Sequence, residues 1–185
     1  MNLYLCRHGE TTWNRKGIIQ GHLESSLSAQ GINQAQALSR QLKDTPIDAI
    51  YSSDLSRCIE TAKLISTNAE LRVDPRLRER HMGALQGKSI SEEPSLMAGY
   101  HGRFNQNAMD IEGSESTLSL LNRIRRFFEV ININNNSSII IVTHGEWIRT
   151  CLNYYHGLPP WSKETLVPAN CELIEIDYEK ISRLP

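Results

Sequence analysis

Two short, wholly apolar runs in this chain end alike. Leu3-Tyr4-Leu5-Cys6 leads into Arg7-His8-Gly9, and Ile139-Ile140-Ile141-Val142 leads through Thr143 into His144-Gly145. Apolar runs this short, bounded by polar loops, read as buried strands. Helical patterns lie between them. Ser28 is an N-cap candidate for a helix with Ile32, Ala35, Leu38 and Leu42 on one side. Residues 47–51 read as another strand, and Ser52-Ser53-Asp54 would cap a helix turning Leu55, Ile59, Ala62 and Ile65 inward. Leu71-Arg72-Val73-Asp74 is a weaker strand, stopped by Pro75. A helix over residues 116–131 puts Leu120, Leu121, Ile124, Phe127, Phe128 and Ile131 inward, with Arg123, Arg125 and Arg126 mostly outward. Residues 134–137 form a polar turn, and the alternation over residues 171–176 is the last strand.

Strand alternating with helix predicts an α/β fold: a three-layer α/β/α sandwich with a mostly parallel central sheet. Between residues 80 and 113 the periodicity dissolves among Gly83, Gly87, Pro94, Gly99 and Gly102. That stretch is expected to be a small lid insertion outside the core. The 185 residues suit one domain over positions 1–185.

Charge and composition exclude several function classes. Lys plus Arg is 20 against 21 Asp plus Glu, a net charge of -1. A nucleic-acid binder needs a cationic surplus to release counterions, and an anionic membrane needs a polybasic patch. Neither partner is expected. The 39% apolar and 22% charged residues suit an ordinary folded core. No basic start followed by a long apolar stretch opens the chain, and four scattered cysteines (Cys6, Cys58, Cys151, Cys171) read as buried free thiols. The expected compartment is the cytoplasm. No Cys or His pair has zinc-ligand spacing and no carboxylate cluster suits Mg²⁺, so no metal is expected.

In open α/β sheets the site lies beyond the carboxyl ends of the strands. Here those ends deliver His8 and His144, each followed by glycine, with Arg7 beside the first and Arg57 in a helix's first turn. One histidine there would be unremarkable; two, with two arginines, point to an anion site.

The segment Arg7-His8-Gly9-Glu10-Thr11, with Asn14 following, resembles the signature of the histidine phosphatase superfamily, the cofactor-dependent phosphoglycerate mutase-like proteins. Leu27-Ser28-x-x-Gly31-x-x-Gln34-Ala35 resembles that family's first helix. Ser52-Ser53-Asp54-Leu55-x-Arg57 resembles its second arginine motif, Leu77-Arg78-Glu79 its acidic motif, and Val142-Thr143-His144-Gly145 its second histidine. The resemblance implies a phosphohistidine enzyme without a cofactor, and the chemistry agrees. A neutral imidazole can be the nucleophile, which falls to His8. Arg7 and Arg57 offer planar donor forks for a phosphoryl group, and His144 is a further donor. By the resemblance Glu79 is the proton donor and then the general base. Asn14 is expected to bind the phosphoryl group, with Gln20, Gly21 and His22 lining the entrance. Glu10 and Thr11 are expected to support the loop. The stretch Gly113-Ser114-Glu115-Ser116 resembles the family's Gly-Glu-Ser stretch and is assigned to helix capping, outside catalysis. His81 reads as lid packing or a substrate contact, and Trp13, Trp147 and Trp161 as packing.

Two reactions compete. A phosphatase lets water take the phosphoryl group from His8, whereas a mutase returns it to another oxygen of the substrate. The run from Glu79 to Gly87 resembles the mutase branch, while the chain's length and lid look reduced beside typical mutases, which favours hydrolysis. Arg78, Arg80, His81, Lys88, His101 and Arg103 could meet a second anionic group, although Glu92 and Glu93 share the stretch. The expected partner is a small phosphorylated metabolite; a homodimer stays open, as does a non-catalytic phosphometabolite-binding module.

Overall fold

An aliphatic run is stable only away from water, and every residue of Ser138–Thr143 is buried. A computed structural model describes residues 2–65, 68–89, 91, 94–104, 107–131 and 138–182. Five strands form one sheet: β1 (Asn2–Arg7), β2 (Ala49–Ser52), β3 (Glu70–Val73), β4 (Ser138–Thr143) and β5 (Leu173–Ile176). Their order is β3-β2-β4-β1-β5. All neighbours are parallel except β1 and β5. The helices are α1 (Thr12–Arg15), α2 (Ala29–Gln41), α3 (Ser56–Ile65), α4 (Met97–Gly102), α5 (Thr117–Val130), α6 (Gly145–Tyr155) and α7 (Tyr178–Ser182).

The period of two along β4 divides the core. Ile139 and Ile141 face α5, α6 and α7, packing with Leu3, Leu5, Phe127, Trp147 and Ile148. Ile140 and Val142 face α2 and α3, packing with Cys6, Leu38, Cys58, Ala62 and Ile65. Each such side chain contributes about 1.5–3 kcal/mol of burial energy. Helices therefore cover both faces, as the sandwich requires. Among the described residues no helix is long and apolar enough to cross a membrane. All four cysteines are free, three of them buried and Cys171 partly so.

Several elements differ in detail from the sequence reading. Ser28 caps α2 as expected, its hydroxyl accepting from the Gly31 amide at 3.0 Å. At α3, Ser53 of the expected Ser52-Ser53-Asp54 cap accepts from the Leu55 amide at 3.3 Å, while Asp54 is turned to Arg78, with contacts of 2.8 and 2.6 Å. Glu24, from a distant loop, takes the Ser56 amide at 3.0 Å. Within α3, Cys58 rather than Ile59 is fully buried. The stretch read as lying outside the core has an apolar cluster of its own, in which Met82, Leu85 and Met109 pack with Ile19 and lean on Tyr100 and Ile111. The polar turn over 134–137, with Glu92 and Glu93, lies outside the described residues.

Gly31 has a packing reason. A Cβ there would meet the Glu10 carbonyl oxygen at 2.0 Å, and one on Gly9 would meet the Gly31 carbonyl oxygen at 2.7 Å. Only paired glycines let α2 press against the loop after β1.

Candidate active site

Because β1 and β4 are parallel neighbours with Arg7 opposite Thr143, the next residue of each, His8 and His144, emerges beside the other. Their ring centroids lie 5.2 Å apart. The His8 Nδ1 lies 2.8 Å from the Gly9 carbonyl oxygen. A carbonyl can only accept, so Nδ1 carries the proton and Nε2 keeps its lone pair. The loop is held by the Gly9 amide donating to the Thr61 hydroxyl at 2.9 Å and by Asn170 Nδ2 donating to the His8 carbonyl at 2.8 Å. Burial, reinforced by the Arg57 and Arg7 charges, holds His8 well below the usual imidazole range. It is therefore neutral at neutral pH, as a nitrogen nucleophile must be.

Both arginines have donors to spare. Arg57 Nη1 donates to the Leu23 carbonyl at 2.9 Å and Nη2 to the Gly21 carbonyl at 2.7 Å, so it also pins the entrance loop. Arg7 Nη1 donates to the Pro168 carbonyl at 2.8 Å. The Nε of each is buried without a partner, a costly state that an anion in the cleft would relieve. Asn14 spends its Oδ1 on the Thr11 amide at 3.0 Å, capping α1. Its amide NH2 is thereby left as the group for the cleft it lines.

Glu79 enters the cleft from the segment after β3. Its Oε1 accepts from the Arg80 amide at 2.8 Å and the Trp147 amide at 3.2 Å, and its Oε2 from the Glu146 amide at 3.3 Å. Burial, with the Glu146 charge nearby, pushes its carboxyl above the usual range in spite of those bonds. A carboxyl so raised can hold a proton to give away.

Arg7, His8, Asn14, Gln20, Gly21, Arg57 and Glu79 thus line one cleft of about 280 Å³. His144 does not line it. It is fully buried, with Nε2 2.9 Å from the Ser53 hydroxyl and 3.3 Å from the Cys58 sulfur. Burial, followed by Arg57 and His8, holds it well below the usual imidazole range, so the protonated form that would add charge is disfavoured. His22 lies behind the cleft, its Nε2 2.7 Å from the Glu79 carbonyl oxygen. Glu10 and Thr11 support the loop: Glu10 accepts from the Ser28 hydroxyl at 2.6 Å.

Of the basic residues read as a possible second anion site, only Arg103 lines the cleft. Arg78 is paired with Asp54, and Arg80 is fully buried, with Nε on the Glu115 carbonyl at 2.8 Å. His81 packs in the lid segment, its Nδ1 2.9 Å from the Gly113 carbonyl oxygen. The sequence reading missed Tyr100, Met82, Val167 and Glu146 as cleft residues. Only Glu146 carried a signal, an acid directly after a glycine at a strand's carboxyl end. Among the described residues no group of three His, Cys, Asp or Glu side chains could hold a metal ion.

Arg123 reverses its expectation. It turns inward from α5, donating to the Arg76, Arg78 and Glu79 carbonyls at 2.8, 2.6 and 2.7 Å. Glu115 holds it at 2.9 and 3.0 Å, and Ser116, from the stretch read as a helix cap, caps α5. Replacing Arg123 with methionine removes its donors from three carbonyls and the Glu115 carboxylate, although the Arg76 carbonyl keeps Trp147 Nε1 and the Glu79 carbonyl keeps His22 Nε2. A loss of about 2 kcal/mol in denaturant unfolding is expected, with kcat lowered about tenfold as Glu79 loses its placement.

The family model described as the histidine phosphatase superfamily (branch 1) matches residues 3–183. The chain belongs to that superfamily. Among curated relatives of this superfamily member is a protein of Proteus mirabilis named "Probable phosphoglycerate mutase GpmB". It is 33% identical over 184 residues, spanning 97% of this chain and 86% of that one. Among solved structures, a mycobacterial glucosyl-3-phosphoglycerate phosphatase complexed with VO3 aligns with a TM-score of 0.84 at 26% identity, over 98% of this chain and 94% of the other. A phosphoserine phosphatase from Entamoeba histolytica, in complex with 3-phosphoglyceric acid, aligns with a TM-score of 0.81 at 28% identity, over 94% and 89%.

Proposed function

We propose that this histidine phosphatase hydrolyses small phosphomonoesters through a phosphohistidine on His8. The observation that carries this reading is the bond from His8 Nδ1 to the Gly9 carbonyl, which aims an unprotonated Nε2 at the cleft shared by Arg7, Arg57, Asn14 and Glu79. Nε2 attacks phosphorus, and the P–O bond to the alcohol breaks. Arg7, Arg57 and Asn14 take the charge on the equatorial oxygens, and Glu79 gives its proton to the departing oxygen. Water then attacks phosphorus, and the P–N bond breaks with its electron pair returning to Nε2. Glu79 takes the proton of that water, phosphate leaves, and both side chains return to their starting forms. His144 acts from behind His8, holding its ring. No metal takes part in these steps. Gln20 and Gly21 form the entrance that Arg57 pins.

Phosphatases among the solved relatives favour hydrolysis, and the name of the curated relative favours the second reading, mutase-type phosphoryl transfer. The test is inorganic phosphate release from a panel of phosphomonoesters in excess EDTA, run beside conversion of 3-phosphoglycerate to its isomer. Release from at least one alkyl phosphate, undiminished by EDTA, is expected. Isomer formation without phosphate release would replace hydrolysis by transfer. Phosphometabolite binding with neither reaction would reduce the chain to a binding module. The work is assigned to the cytoplasm.

A further inference from the structure

The mechanism uses one acid in the cleft, and the cleft holds two. Glu146, at the second position of α6, is 5% exposed and lines the cleft beside Glu79. Its Oε1 accepts from Arg149 Nε at 3.2 Å and its Oε2 from Arg149 Nη2 at 2.8 Å. Arg103 Nε lies 3.5 Å from the same Oε1. A bidentate pair of this kind, with a second guanidinium alongside, holds a buried carboxylate ionised. The Glu146 amide at the same time donates to Glu79 Oε2 at 3.3 Å, so one residue touches the acid with its backbone and faces it with a negative charge.

We propose that Glu146 is a positioning residue for the reaction: its permanently ionised carboxylate keeps the proton on Glu79 until an alkoxide departs, and draws a proton back from water afterwards. The inference rests on the reading of Glu79 as acid and base. A second negative charge beside the buried Glu79 raises the cost of ionising it. The proton therefore stays on Glu79 at neutral pH until the far more basic alkoxide takes it, and its recapture from the attacking water is favoured. Atoms and charges of the two steps are unchanged, because Glu146 stays ionised throughout.

Arg57 from α3 and Arg7 and His8 from the end of β1 share the Glu79 cleft, and Arg57 favours the ionised form. The neighbouring Arg78 is spent on Asp54 and Arg80 on the Glu115 carbonyl. Arg123 from α5 is paired with Glu115, and Arg103, beyond α4, and Arg149 face Glu146 itself. Tyr100 of α4 lines the cleft, and His22 and His144, both held neutral by burial, lie behind. The balance leaves Glu79 raised and Glu146 lowered: burial alone would raise Glu146, and Arg149, Arg103 and Arg80 outweigh it. Two acids pushed apart in this way divide the roles of proton carrier and fixed charge.

The experiment is a carboxyl titration by ¹³C NMR of glutamate-labelled protein, with the Glu79 signal assigned by its loss in Glu79→Gln. It is paired with kcat against pH on β-glycerophosphate for the wild type, Glu79→Gln and Glu146→Gln. In Glu146→Gln both the Glu79 titration and the alkaline limb of kcat are expected to move about one pH unit lower. The sign follows from removing a like charge, which makes Glu79 easier to ionise. If Glu146→Gln does not fold, because three arginines lose their anion, the paired variant Glu146→Gln/Arg149→Gln removes both charges and is expected to move the titration the same way. An unmoved Glu79 titration in a folded variant overturns the inference. Wild-type kcat in Glu79→Gln would instead overturn the acid–base reading beneath it, so the two failures are told apart.

Discussion

Replacing His8 with alanine is expected to lower phosphate release by about a thousandfold or more, because no other side chain in the cleft can form the P–N bond. Arg7, Arg57 and Asn14 are untouched, so phosphate should still bind. The cost to the fold is expected to be smaller. The Gly9 carbonyl loses its donor and a small cavity opens, worth about 1–3 kcal/mol in denaturant unfolding. Two measurements separate chemistry from collapse. Rapid acid-free quenching with ³²P-labelled substrate should trap an acid-labile, base-stable phosphoprotein in the wild type and none in His8→Ala. A labelled phosphoprotein persisting in the variant would move the nucleophile elsewhere. The depressed affinity of His8 for protons adds a pH expectation. Since burial, Arg57 and Arg7 favour the neutral ring, the nucleophile should stay competent as pH falls through the ordinary imidazole range and fail only well below it.

The second large effect is expected at Glu79, and it depends on the leaving group. Glutamine keeps the shape and one acceptor for the Arg80 and Trp147 amides but carries no transferable proton. With an alkyl phosphate kcat should fall about 10²–10⁴-fold. With p-nitrophenyl phosphate the phenolate leaves unassisted, so phosphorylation of His8 should proceed and only the attack of water should suffer. The variant should then release a burst of nitrophenol equal to the enzyme present, followed by slow turnover. Equal losses on both substrates, with no burst, would remove Glu79 from proton transfer.

Much of this site can be read from residue order alone, for a physical reason. Parallel strands deliver their following residues to one edge, so two apolar runs ending in His-Gly had to bring His8 and His144 together. Arg57 follows from a local signal, a helix's first turn, whereas Asn14 follows only from the family resemblance. Arg123 was harder to read. It sits between Leu120 and Phe127 on α5, at the border of the apolar stripe, and only carbonyls some forty residues earlier make the inward position favourable. Within the expected Ser52-Ser53-Asp54 cap, Asp54 turns away because Arg78 offers a charged partner, and Ser53 takes the Leu55 amide. The apolar cluster around Met82 and Met109 has no period to detect, since its members come from loops and short turns. Glu146 reads as an ordinary first-turn acid until Arg103, from the lid segment, is seen to face it.

The strand order has a consequence for how the protein is made. The nucleophile's strand β1 pairs only with β4 and β5, and β2 pairs with β3 and β4. Thus β1 and β2, though both precede β4 in the chain, never touch along the sheet; β4 is the partner both wait for. Leu3 and Ile139 are register neighbours separated by most of the chain, and closing so long a loop is slow. A nascent chain halted before β4 can assemble β2, β3 and α3 but has no place to dock His8. Synthesis therefore passes a long interval with the apolar strand β1 unpaired, the interval in which a chaperone matters most.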